Sequence, residues 1–135
     1  KLKYSLIDAV KSLHPEHVFK IPEEENQQCA KFLSAFLNRG GNVFSTNYDL
    51  LLYWVLMRND FQNRTDGFGR DREDDPGEFS DEPEYSELRW GKYKDTQNIH
   101  HLHGTLPIFD TGIDIIKEEY GGNNLLLENI EERLA

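Results

Sequence analysis

At 135 residues the chain suits a single domain around one hydrophobic core. Its formal charge of −10 argues against a broad nucleic-acid or anionic-membrane footprint, because phosphate groups are held by clustered Lys and Arg. A lone cysteine, Cys29, excludes an internal disulfide and a four-cysteine zinc ribbon, and it suits the cytoplasm.

In chain order, Leu2, Leu6, Val10 and Leu13 recur at helical spacing, with Ile7 widening the stripe. Pro15 predicts that this first helix stops near His14, leaving His14 and His17 on a polar surface turn. Ile21-Pro22 then leads into Glu23 to Glu25, an acidic helix start where negative charge is favourable. Cys29, Phe32, Leu33, Phe36 and Leu37 predict one apolar face, ended by Gly40-Gly41.

Val43, Phe44 and Ser45 form a short β-prone run. It passes through Thr46-Asn47-Tyr48-Asp49 into Leu50 to Met57, which reads as a helix apolar on every side. That helix needs cover on both sides, with Tyr53 and Trp54 in the core and their polar atoms bonded. The run is far short of the roughly 20 residues that cross a bilayer, so no membrane span is expected.

Residues 63–95 read as an acidic loop excursion, with Asp66-Gly67-Phe68-Gly69 as turn chemistry and Leu88, Trp90 and Tyr93 tacking it down. Ile99 to Leu102 is a second β-prone run, ending on His103-Gly104. Thr105 to Phe109 is a further β-prone piece that Pro107 confines to an edge or bend, and Asp110-Thr111-Gly112 turns the chain. Ile113, Ile115 and Ile116 fit either a short strand or a helix through Tyr120. Asn124 caps a last helix, Leu125 to Leu134.

The fold class is therefore α/β, with residues 1–135 a single domain. If the Val43 and Ile99 strands are parallel, Asn47, Asp49 and His103 share the carboxyl edge where ligands of open α/β sheets bind. Asn47 offers one acceptor and two donors without charge, enough to fix a hydroxyl or a water. Asp49, at a helix start, stays anionic, and His103 has the side chain suited to proton transfer near neutral pH. Each also has a plain structural reading: Asn47 or Asp49 as a helix cap, His103 as a core histidine. Strand alternation separates His100 from His101 and His103, and no metal site is expected.

Phe44-Ser45-Thr46-Asn47-Tyr48-Asp49 with Leu102-His103-Gly104 resembles the sirtuin-like NAD-consuming superfamily. With Asp66-Gly67-Phe68-Gly69 and Trp90 added, the chain looks like an uncharacterised bacterial sirtuin-like domain family, from the first helix to about Phe109. The resemblance implies a Rossmann-like parallel sheet flanked by helices, and NAD as substrate or ligand without a metal. Asn47 and His103 would be catalytic, with Thr46, Asn47, Tyr48, Asp49 and Gly104 binding the cofactor. His103 would act as general base while Asn47 holds a water or a ribose hydroxyl, and the nicotinamide–ribose bond would be hydrolysed.

The superfamily's glycine-rich phosphate turn does not precede Asn47, because Gly40-Gly41 comes before a strand rather than after one. The expectation is an excised portion of a larger sirtuin-like domain, starting at Lys1 without an initiator Met and partnered by a missing N-terminal part of the same parent chain. An NAD glycohydrolase would then need the full-length protein, with this portion inactive alone. The alternative is a non-catalytic nucleotide-sensing or protein-interaction module.

Overall fold

The computed structural model describes residues 2–15, 18–69, 87–118 and 130–132. The fold is mixed α/β. Helices α1 (Leu2–Leu13), α2 (Glu23–Leu37) and α3 (Leu51–Arg58) accompany strands β1 (Val43–Ser45), β2 (Phe68–Gly69), β3 (Glu87–Trp90), β4 (Ile99–His101), β5 (Ile108–Asp110) and β6 (Ile115–Glu118). β1 and β4 make a two-stranded parallel sheet, and the others a four-stranded antiparallel sheet in the order β2-β3-β6-β5.

Helix α1 ends where Pro15 requires, its last bond running from the His14 N–H to the Val10 carbonyl at 2.7 Å. Its buried stripe is narrower than the spacing predicts: Ile7 is central, Leu6 and Val10 flank it, and Leu2 and Leu13 face water. His14 is not a surface residue. It is half-buried, its ring packs edge-on against Trp54 with centroids 4.5 Å apart, and its Nε2 accepts the N–H of Leu50 at 3.3 Å. His17 lies outside the described residues.

α2 begins on its three glutamates and closes with a Schellman pair of bonds. Gly41 N–H reaches the Phe36 carbonyl at 2.9 Å and Gly40 N–H the Leu37 carbonyl at 3.1 Å. Gly40 sits at φ +73°, a conformation that glycine adopts without penalty. Of the expected face Leu33 and Leu37 are buried, together with Asn26 and Ala30, whereas Cys29, Phe32 and Phe36 are exposed. Periodicity gave the width of the apolar surface, and the neighbouring helix covers only one flank of it.

α3 is covered on both sides, as an all-apolar helix must be. On one side Leu50, Tyr53 and Trp54 pack with Ile7, Val18, Leu106 and Ile130. On the other, Val55 and Leu56 pack with Leu33, Leu37, Phe61 and Ile99. Trp54 departs from expectation in one respect: its Nε1 is buried with no partner among the described residues.

The stretch expected as a loop is partly strand. Its flanks form the β2–β3 pairing, Phe68 opposite Trp90 and Gly69 opposite Arg89, and β3 continues onto β6. Residues 70–86 of that stretch lie outside the description. Ile115 resolves as strand, joined to edge strand β5 through a turn in which Thr111 N–H meets the Asp114 carbonyl at 3.0 Å. Of the expected last helix, residues 130–132 are described and helical, and the remainder lies outside. Among the described residues no helix is long and apolar enough to cross a membrane.

Candidate functional site

The parallel pairing places Val43 beside Ile99 and Ser45 beside His101, so both strands end on the same edge of the sheet. Beyond that edge the two turns are bound to each other. Leu102 N–H donates to the Ser45 carbonyl at 2.9 Å and Leu106 N–H to the Tyr48 carbonyl at 3.0 Å. The buried Thr105 hydroxyl donates toward the Tyr48 and Asp49 carbonyls, at 3.1 and 3.0 Å. The Thr46-Asn47-Tyr48-Asp49 turn is thus held by the segment that carries His103.

Within that frame the expected site residues divide by role. Asp49 accepts the Leu51 N–H at 2.9 Å through Oδ1, closing a turn one residue ahead of Leu50, which is the N-cap of α3 and carries no side-chain cap bond, so Asp49 is not the helix cap expected. Asn47 is exposed; its backbone N–H is tied to Ser45 Oγ at 3.1 Å, while its carboxamide has no hydrogen-bond partner among the described residues. The same holds for the imidazole of His103, whose ring stacks on Tyr48 with centroids 6.4 Å apart and planes inclined by 26°. Thr46 is also exposed. Gly104, at φ +75°, has nothing within 4 Å of where a side chain would start, so the backbone is open to close approach.

Tyr48, His103, Gly104 and Asp110 line a cavity of about 280 Å³, floored by Ile7 and Leu106. Asp110, at the end of β5, is a residue that sequence reading took only for turn chemistry. Its Oδ1 accepts the Gly112 N–H at 2.8 Å, and the residue lines the same cavity as His103.

A second cavity, of about 240 Å³, adjoins the first and shares Gly104 and Ile108 with it. It is lined by Asp66, Phe68, Trp90, Gln97, His101 and Ile115. Asp66 forms an ion pair with Lys117, whose side chain is 8% exposed and whose Nζ lies 5.2 and 5.4 Å from the ring centroids of Tyr53 and Phe68. His101 shares its inward side with the fully buried Ile99. Burial holds its imidazole below the ordinary 6.5, Lys117 and His100 push the same way, and the Asp66 and Asp49 carboxylates oppose. Its Nδ1 is buried with no partner among the described residues.

The three histidines of the second run therefore go three ways. His100 stacks on Phe44 at 4.6 Å on the outer face, His101 enters the second cavity, and His103 enters the first. Among the described residues no group of three or more His, Cys, Asp or Glu is arranged to hold a metal ion. Sequence reading missed Lys117 and the cavity role of His101, because an ion pair 51 residues apart leaves no periodic trace.

Over residues 1–135 the chain matches the family described as "Domain of unknown function (DUF4917)". No curated protein and no solved structure matches it.

Proposed function

The chain belongs to the DUF4917 family, and from the geometry of its carboxyl edge we propose that it is the catalytic portion of a sirtuin-like NAD-binding protein whose intact form hydrolyses the nicotinamide–ribose bond. The observation that carries the reading is the parallel pairing of β1 with β4, which brings Asn47 and His103 to one edge with neither side chain bonded among the described residues. We read that pair as part of a Rossmann-like sheet, in which ligands lie outside the carboxyl ends of the strands.

The first cavity alone, at about 280 Å³, falls below the usual size of a ligand pocket. Together with its neighbour it reaches the range of ligand pockets, about 300–1,000 Å³. Asn47, which follows β1 on the same edge but is not among the residues lining either cavity, holds the attacking water from outside them through its amide. His103 takes a proton from that water as the oxygen bonds to the ribose C1′. Bound NAD supplies a pyridinium leaving group, and breaking the C1′–N bond returns the electron pair to the ring nitrogen, so nicotinamide leaves neutral. Asp110, in the same cavity as His103, stabilises positive charge developing on the ribose. Asp49 supports the turn from behind through its bond to Leu51, and Gly104 lets the ligand approach the backbone. This reading assigns the protein to the cytoplasm.

The test is chromatographic: intact protein mixed with NAD should release nicotinamide and ADP-ribose in equal amounts. Binding of NAD with no release would leave a nucleotide sensor in place of an enzyme.

A second reading, a protein-interaction module, draws on the exposed aromatic residues of α2 and β1, where Phe32 is 66% and Phe44 62% exposed. It expects Asn47→Ala and His103→Ala to leave the protein's cellular function intact while Phe32→Ser weakens it. Loss of function in the first two variants alone removes this reading.

A further inference from the structure

We propose that the second cavity is a subsite for a neutral, planar heteroaromatic ring carrying an amine or carboxamide group. The inference rests on the nucleotide reading for the kind of ligand involved, and it has its own measurement. Its walls and its polar groups point the same way. Phe68, Trp90, Ile108 and Ile115 give apolar surface, and Trp90 is 48% exposed although it lies in a strand. The ring of Trp90 is seated on Gly67, where a Cβ would come within 2.9 Å of its Nε1, so the glycine of the Asp66-Gly67-Phe68-Gly69 stretch sets the position of the indole. A partly exposed, positioned indole offers the π-face on which any base or pyridine ring stacks.

The charges say which rings fit. Lys117 is occupied by Asp66 and by the aromatic rings above it, so among the described lining residues the cavity presents no free cation for a phosphate. Among the described lining residues, Asp66 is balanced by Lys117 and His101 is neutral above about pH 6.5, so nothing there attracts an anionic occupant. Gln97 donates through Nε2 to the Ile99 carbonyl at 2.9 Å, leaving its carbonyl oxygen as an acceptor for a ligand amine or amide. The buried Nδ1 of His101 lacks a partner among the described residues, a deficit that a polar group on a ligand would relieve. Because the cavities share Gly104 and Ile108, a ring held at Trp90 leaves its attached ribose at the His103 side.

Adenine, in the dinucleotide or free, and nicotinamide once it has left the ribose are both neutral rings of this chemistry, and the experiment separates them. Free adenine and free nicotinamide are titrated into intact protein and followed by saturation-transfer NMR. The controls are Trp90→Leu, Ile115→Trp, which adds bulk at a half-exposed position that lines this cavity and not the first, and Phe32→Ser on α2. One ring should bind saturably. Trp90→Leu and Ile115→Trp should each weaken it about tenfold or more, with unfolding temperatures close to wild type, and Phe32→Ser should not. Saturation by neither ring, or unchanged binding in folded Ile115→Trp, overturns the subsite. Ring binding without nicotinamide release from NAD removes the hydrolase reading and keeps the subsite. Nicotinamide release from NAD by wild-type protein that saturates with neither ring does the reverse.

Discussion

Ser45 and His101 stand opposite each other in the parallel register of β1 and β4, one step before both chains leave the sheet. The next bond, from the Leu102 N–H to the Ser45 carbonyl, is the last rung, and beyond it the two turns carry Asn47 and His103. The hydrolase reading follows from that shared edge and from what the two turns leave unbonded.

Because the side chains of Asn47 and His103 are exposed and have no bonds among the described residues, removing them should not unfold the protein. Asn47→Ala and His103→Ala are each expected within about 0.5 kcal/mol of wild type in urea unfolding. Asp49→Ala should lose about 1 kcal/mol, since its carboxylate holds the Leu51 N–H. A large loss for His103→Ala would mean that it is structural.

Thr105 is a positioning residue. Its buried hydroxyl grips the Tyr48 and Asp49 carbonyls, and Thr105→Val leaves both without that donor while keeping the side chain's shape. The expected cost is about 1–3 kcal/mol in stability, with NAD turnover lowered while the pH profile keeps its form. Thr105→Ser, which retains the hydroxyl, should restore turnover.

The Asp66–Lys117 pair is nearly closed to water, so breaking it from one side strands a charge. Lys117→Met and Asp66→Asn are each expected to cost about 3–5 kcal/mol, and the double variant less than their sum. Additive losses in thermal unfolding would show that the two groups do not act as a pair.

Acid should destabilise the protein through His101. Its folded-state value lies below the ordinary 6.5, so between the two values the unfolded chain binds more protons. The stability tied to this group is complete above about pH 6.5 and is lost as pH falls below it. His101→Phe should flatten the fall in unfolding temperature between about pH 7 and pH 5, and an unchanged slope would place the acid sensitivity elsewhere.

Much of the site's frame was legible in the sequence, for a physical reason. Val43–Ser45 and Ile99–His101 are short β-prone runs that end in polar turns, and burial of the first run's following helix leaves little choice of layer. The antiparallel sheet was not legible. Glu87–Trp90 and Ile115–Glu118 mix charge with apolar residues, and what allows Lys117 to be buried is a carboxylate far away in sequence, at Asp66. Helix α2 shows the limit of periodicity from another side. Phe32 and Ala30 both belong to its apolar surface, and only the packing of α3 decides that Ala30 is the one covered. His14 was misread because a histidine beside a proline in a polar stretch gives no sign that it will bond a helix start 36 residues later.

The most direct measurement is the rate of nicotinamide release from NAD by intact wild-type protein beside His103→Ala. The account predicts measurable release by wild type and a fall of about 10²-fold or more in the variant, whose fold is unchanged. Equal rates in the two proteins, or none in either, would contradict it.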